Sequence, residues 1–222
     1  MLLHLPEVLS PEELEKIRAG LQQGTFADGR ASAGRLAGEV KQNEEFQAPR
    51  SEREPLELCV AQALQRHPMV QRHALPLRIS HPIFSRYRPG MHYGWHTDDA
   101  VMGEGGYRSD LAATVFLSEP SEYEGGALVV ETPYGEQTAR YPAGDAVLYP
   151  AGRLHRVEEV TAGERWVAVL WIQSQVRDEQ QREILQTLDA LRSQRMEKGP
   201  EDDELTKLDW VYSRLLRMWA DV

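Results

Sequence analysis

Hydrophobic and polar positions along this 222-residue chain change their period twice, from helical to alternating and back. Residues 2 to 9 read as a short strand. Ser10-Pro11-Glu-Glu13 then predicts a helix start, with serine at the N-cap, proline in the first turn and glutamate three residues after the serine. Leu14, Ile17 and Leu21 follow at helical spacing, and Gly24 ends the run. Phe26-Ala-Asp-Gly29 reads as a turn or sheet edge, and residues 32 to 46 are polar enough to read as an exposed loop. Residues 51 to 66 predict a second helix with Leu56, Val60, Ala63 and Leu64 on its buried face, closed by His67-Pro68.

From residue 77 the period shortens to two. Leu77 to Tyr87 alternates as a strand, and Arg88-Pro-Gly90 turns the chain. Strands are predicted around His96 and at 111 to 117, 127 to 130, 137 to 141, 145 to 149, 154 to 160 and 165 to 173, with a glycine-rich polar loop at 102 to 106. After 176 the helical period returns. Ile184, Leu185, Leu188 and Leu191 mark one helix, 198 to 203 a break, and Leu205, Leu208, Val211, Tyr212, Leu215 and Trp219 another. The pattern divides the chain into a helix-and-strand support (1–76), a strand-rich core (77–175) and a helical extension (176–222). Many short strands between glycine and proline turns argue for an antiparallel sandwich or barrel within an α+β class.

Composition narrows the partners. A hydrophobic fraction of 41% and a charged fraction of 27% describe a soluble globular chain. The net charge of −10 argues against a nucleic-acid backbone or an anionic membrane surface, since both select basic patches. No apolar run approaches the ~20 residues of a membrane span, and the N-terminus lacks the basic and apolar regions of a signal peptide. The one cysteine, Cys59, has no partner for an intramolecular disulfide. A cytoplasmic location is therefore expected.

The candidate chemistry centres on Tyr93-Gly-Trp-His-Thr-Asp98. On a strand His96 and Asp98 face one side, so an imidazole and a carboxylate can grip one ion. Asp99 would then point away. A third ligand is offered by His155 in Gly152-Arg-Leu-His-Arg156, with His92 a weaker alternative. Two histidines and one carboxylate, with the other positions open, form the facial triad of non-haem Fe(II) oxygenases. Ten residues beyond His155 stands Arg165, opening the apolar run Trp166-Val-Ala-Val-Leu-Trp-Ile172. Its planar guanidinium is suited to holding a carboxylate through two bonds. Isolated His-x-Asp pairs are common surface features; the coincidence with His155 and Arg165 sets this one apart.

His96-x-Asp98, His155 and Arg165 together resemble the iron(II)- and 2-oxoglutarate-dependent dioxygenases. The run Tyr87-Arg-Pro-Gly-Met-His-Tyr93-Gly-Trp-His96-Thr-Asp98 is similar to their prolyl/lysyl-hydroxylase branch. The chain length, Pro142-Ala-Gly-Asp-Ala-Val-Leu-Tyr149 and the helical tail are similar to the small bacterial PKHD-type hydroxylases. The resemblance implies a double-stranded β-helix, or jelly roll, carrying the metal at its mouth. It implies an oxidoreductase that turns 2-oxoglutarate into succinate and CO2 while hydroxylating an amino-acid side chain or related small molecule. Fe(2+) and 2-oxoglutarate are the implied cofactors. L-ascorbate (vitamin C) and a link to iron uptake are further implications. Related halogenases lack the carboxylate ligand, so Asp98 favours hydroxylation.

No catalytic side chain is expected beyond the metal ligands. The family motif supports a co-substrate contact for Tyr87. Thr114 shares a strand position that reaches the same end, although core placement is equally open. A similar Lys-x-Asn stretch in the PKHD-type group suggests that Lys41 and Asn43 face substrate, against the plainer reading of an exposed loop. Trp95 and Trp171 wall the pocket or simply fill core. The wide apolar stripe of the last helix needs cover, from the chain's own barrel or from a second subunit in a homodimer. Two other functions share the ligands: a cupin-like metal enzyme that does not use 2-oxoglutarate, which leaves Arg165 without a duty, and a non-catalytic iron or 2-oxoglutarate sensor.

Overall fold

The computed structural model describes residues 2–103, 106–197, 199 and 203–221. Glu104 and Gly105 of the expected glycine-rich loop, and most of the expected break at 198 to 203, lie outside them. In chain order the elements are β1 (Leu3–Leu5), α1 (Pro11–Gln23), β2 (Thr25–Asp28), α2 (Arg35–Glu39), β3 (Lys41–Gln42), β4 (Glu44–Gln47), α3 (Arg50–Arg66), α4 (Pro68–Ala74), β5 (Pro76–Ile79), β6 (Ile83–Tyr87) and β7 (His92–His96). They continue as β8 (Val101–Met102), β9 (Tyr107–Arg108), β10 (Leu111–Phe116), β11 (Tyr123–Gly125), β12 (Leu128–Thr132), β13 (Gly135–Ala139), β14 (Ala146–Pro150), β15 (His155–Val157), β16 (Val160–Gly163), β17 (Arg165–Ser174), α5 (Glu179–Met196) and α6 (Asp203–Trp219).

Two antiparallel sheets face each other as a jelly roll. The larger is ordered β1-β14-β10-β17-β6-β4-β2, with β5 also paired to β17; the smaller is β13-β12-β15-β7-β3. Strand alternation explains why the large sheet is buried on both faces. Along β17, Ala168, Leu170 and Ile172 join Leu111, Ala113 and Val115 of β10 beneath α1, α3 and α4. There they meet Ile17, Leu21, Leu56, Val60, Ala63, Leu64 and Val70. The intervening residues, including Val167 and Trp171 of β17, Ala112 and Phe116 of β10 and Tyr149 of β14, face Leu128, Val130 and Val157 of the smaller sheet.

The local signals operate as expected at the first helix. The Ser10 side chain accepts from the Glu13 N–H, and the Glu13 carboxylate accepts in return from the Ser10 N–H at 3.0 Å. Three local expectations need correction. Residues 32 to 46 are not a loop: they hold α2, then β3 at the edge of the smaller sheet and β4 between β6 and β2 of the larger. Pro68 does not merely stop α3 but begins α4, where its missing N–H is no loss. The strand carrying His96 ends there, so Asp98 sits just beyond it. Among the described residues, no helix is long and apolar enough to cross a membrane.

Candidate metal centre

β7 and β15 pair antiparallel with His96 directly opposite His155. Their rings lie 4.2 Å apart between centroids. Past the end of β7 the chain turns Asp98 back toward them, its N–H bonded to the Ala151 carbonyl at 3.3 Å and its Oδ1 3.8 Å from His155 Nε2. One ligand atom from each of His96, Asp98 and His155 lies within 4.8 Å of the others. His96 Nδ1 is 2.8 Å from the Gly94 carbonyl, and His155 Nδ1 is 2.9 Å from the Arg153 carbonyl. A carbonyl only accepts, so each Nδ1 carries the proton and each Nε2 keeps its lone pair for an ion.

Electrostatics point the same way. Burial pushes the His96 imidazole down to about 3, with His155 and Lys41 adding to the effect. Burial raises the Asp98 carboxyl, against the pull of His155. The pocket thus keeps the imidazole neutral and leaves the carboxylate short of positive charge, and Asp98 Oδ2 has no hydrogen-bond partner. A divalent cation answers both conditions, so the donor set fits an Fe(II) ion.

Tyr93 stacks on His96 with centroids 3.5 Å apart, and the Lys41 ammonium lies 5.4 Å from the Tyr93 centroid. The ring therefore fixes the plane of one imidazole. These residues line a cavity enclosing about 730 Å³, mouth included, between the two sheets.

At the inner end lies Arg165. It is 1% exposed, and its Nε and Nη1 have no hydrogen-bond partner. The Tyr87 and Phe116 rings flank it, 5.2 Å and 5.8 Å from its guanidinium carbon. A buried guanidinium without an anion is costly. Gly126, at φ +62°, makes room for its stem: a Cβ there would come within 3.0 Å of Arg165 Cδ. Tyr87 pairs with Arg165 across β6 and β17. Burial pushes its hydroxyl up to about 12, with Arg165 opposing, so it remains a neutral donor.

The other expected residues divide. Thr114 is buried, faces the cavity and lies beside the Tyr149 hydroxyl. Lys41 and Asn43 face the cavity from β3 and the residue that follows it, but neither is exposed. Lys41 Nζ is held by Glu45 at 2.6 Å and Ser32 at 2.8 Å. Asn43 lies beside the Tyr87 hydroxyl with both carboxamide atoms unpartnered. Trp95 is not brought to the cavity. It points outward, 40% exposed, beneath the Arg156 guanidinium, because it alternates with the inward-facing His96. Glu45 and Trp171 line the cavity as well. Only the alternation of residues 41, 43 and 45 could have signalled Glu45.

Comparison with known proteins identifies the family. Residues 82–173 match the 2OG-Fe(II) oxygenase superfamily model. A PKHD-type hydroxylase of Hyphomonas neptunium is 44% identical over 225 residues, and one of Thioalkalivibrio sulfidiphilus is 47% identical over 224; each match covers 100% of both chains. Among solved structures, the chain is similar to a prolyl hydroxylase from Trichoplax adhaerens in complex with a hypoxia inducible factor peptide fragment (TM-score 0.57, 15% identity, 82% of this chain and 86% of that one). It is also similar to HygX from Streptomyces hygroscopicus with nickel, 2-oxoglutarate and hygromycin B bound (TM-score 0.55, 14% identity, 76% and 81%). The structural likenesses speak for the jelly roll and the full-length sequence relatives for the chemistry: this chain belongs to the PKHD-type hydroxylases of the 2OG-Fe(II) oxygenase superfamily, dioxygenases of the oxidoreductase class.

Proposed function

We propose that His96, Asp98 and His155 hold Fe(II), that Arg165 binds the distal carboxylate of 2-oxoglutarate with Tyr87 beside it, and that the enzyme hydroxylates an amino-acid side chain or a related small molecule. The observation that carries this reading is the buried guanidinium of Arg165, whose Nε and Nη1 have no hydrogen-bond partner among the described residues, in the same cavity as the three ligand atoms. When bound, iron and 2-oxoglutarate supply the oxidative chemistry: O2 is consumed, the co-substrate leaves as succinate and CO2, and a C–H bond becomes C–OH.

The chain's own side chains bind and orient. Arg165 offers two parallel N–H donors to a carboxylate, charge-assisted and shielded from water. Tyr87 adds a neutral hydroxyl donor. Thr114, beside Tyr149, shapes the cavity wall between Arg165 and the ligands. Tyr93 keeps the His96 ring in plane. The buried Lys41–Glu45 pair and Asn43 stand on the substrate side. Because Lys41 is already neutralised by Glu45, it presents no free charge, which favours a substrate group bound through hydrogen bonds.

Two solved structures of similar fold hold different kinds of molecule, one a peptide fragment and the other hygromycin B, and both kinds are compatible with this reading. By the same reading, ascorbate maintains the iron in its reduced form, the enzyme works in the cytoplasm, and its product serves iron uptake. The test is anaerobic titration of the Fe(II)-loaded protein with 2-oxoglutarate. A visible charge-transfer band that Arg165→Ala weakens supports the assignment. Iron binding with no band would mean that the open positions serve another ligand.

A further inference from the structure

We propose that the indole N–H of Trp171 ties down one oxygen of Asp98, so that the carboxylate offers only its other oxygen to the metal. The inference rests on the reading of Asp98 as a ligand. Trp171 Nε1 and Asp98 Oδ2 are both buried, both in the cavity wall and both without a hydrogen-bond partner. The two atoms are complementary, since an indole nitrogen only donates and a carboxylate oxygen only accepts. Buried polar atoms are rarely left single, and these two are a matched donor and acceptor in one cavity wall.

The geometry also assigns the two oxygens. Oδ1 is the one facing His155 Nε2, at 3.8 Å, and so lies on the ligand side. Oδ2 is the one left over. The donor is the rigid member of the pair. Trp171 sits in β17, its N–H donating to Ser80 Oγ and its carbonyl accepting from the Ser80 N–H, both at 2.9 Å. Asp98 lies past the end of β7, held through its backbone by a longer bond to Ala151. A fixed donor can therefore set the rotation of a less constrained carboxylate. A carboxylate free to turn can bind an ion through both oxygens and fill a second coordination position. Holding Oδ2 keeps that position available for co-substrate. Trp171 is thus a positioning residue.

Metal binding in the absence of turnover tests this. Trp171→Phe keeps the ring and removes the donor; Trp171→His restores an N–H. Co(II) affinity and its visible spectrum, which reports coordination number, are measured for both, with thermal melting as a check on folding. Trp171→Phe is expected to weaken Co(II) binding about 10- to 100-fold and to move the spectrum toward higher coordination, with Trp171→His recovering much of the affinity and the wild-type spectrum. Wild-type affinity and spectrum in Trp171→Phe would overturn the proposal and leave Trp171 as a cavity wall. Equal losses in both variants would overturn the donor role. His96→Ala separates the two levels of the argument: if it too binds Co(II) normally, the triad reading fails as well.

Discussion

Replacing Arg165 by methionine should make the empty protein more stable and useless for its co-substrate. A guanidinium is charged at any working pH, and this one is 1% exposed with two donor nitrogens unpartnered. An uncompensated buried charge costs roughly 3–5 kcal/mol. The flanking Tyr87 and Phe116 rings return about 1–2 kcal/mol of that through cation–π attraction. Methionine fills a similar volume without the charge, so a net gain of about 1–4 kcal/mol is expected. For a chain of this size each kcal/mol moves the melting temperature by roughly 2–4 °C. With ligand the order reverses. At one hundred times its dissociation constant, 2-oxoglutarate stabilises the wild-type metal-loaded protein by about 2.7 kcal/mol, and the variant should show no such shift. Differential scanning calorimetry under argon, with Mn(II) in place of iron, reads both quantities. If Arg165→Met melts lower than wild type when empty, or keeps the co-substrate shift, the view of Arg165 as a charge awaiting its anion is wrong.

Other consequences are equally direct. His96→Ala or Asp98→Ala should abolish stoichiometric Fe(II) binding in equilibrium dialysis; retained iron would remove the triad. Gly126→Ala, which crowds Arg165 Cδ and sits at positive φ, should weaken 2-oxoglutarate at least tenfold while iron binding persists, measured by titration of the charge-transfer band. On raising the pH, Tyr87, Tyr93 and Tyr149 should resist ionisation, because burial lifts each of them and Tyr87 reaches about 12. Absorbance at the tyrosinate band near pH 11 should therefore fall short of the eight tyrosines present, and Tyr87→Phe should leave it unchanged. The exposed Trp210 and Met218 of α6 are candidates for a contact between two copies. Replacing both by glutamate should halve the mass in light scattering if the chain is a homodimer through this helix.

The legible parts of the sequence were those where a residue's type matches its local task. Ser10 and Glu13 cap a helix, the run from Arg165 alternates as a doubly buried strand, and His96, His155 and Arg165 stand where the pairing of β7 with β15 and of β6 with β17 brings them into one cavity. What escaped was an inverted strand pattern. Lys41, Asn43 and Glu45 alternate with period two, but it is the polar residues that turn inward, satisfied in part by one another. A reading keyed to apolar alternation takes such a segment for a loop. Trp95 is neither the wall nor the core residue expected, for the complementary reason: an aromatic residue in an inner strand faces outward when its neighbour must face the site.

The two faces of β17 have a consequence for how such an enzyme can change over time. The strand that carries Arg165 and Trp171 into the cavity carries Ala168, Leu170 and Ile172 into the helix-covered core. Altering its course would disrupt the packing of three helices at once, so the parts that perform oxidation are locked to the parts that keep the protein folded. The segment from Ser32 to Ala37, which lines the mouth, bears little such burden and is largely exposed. Drift can rework the entrance while the chemistry behind it stays fixed. Amide hydrogen exchange would show this as a protected β17 beside a fast-exchanging rim.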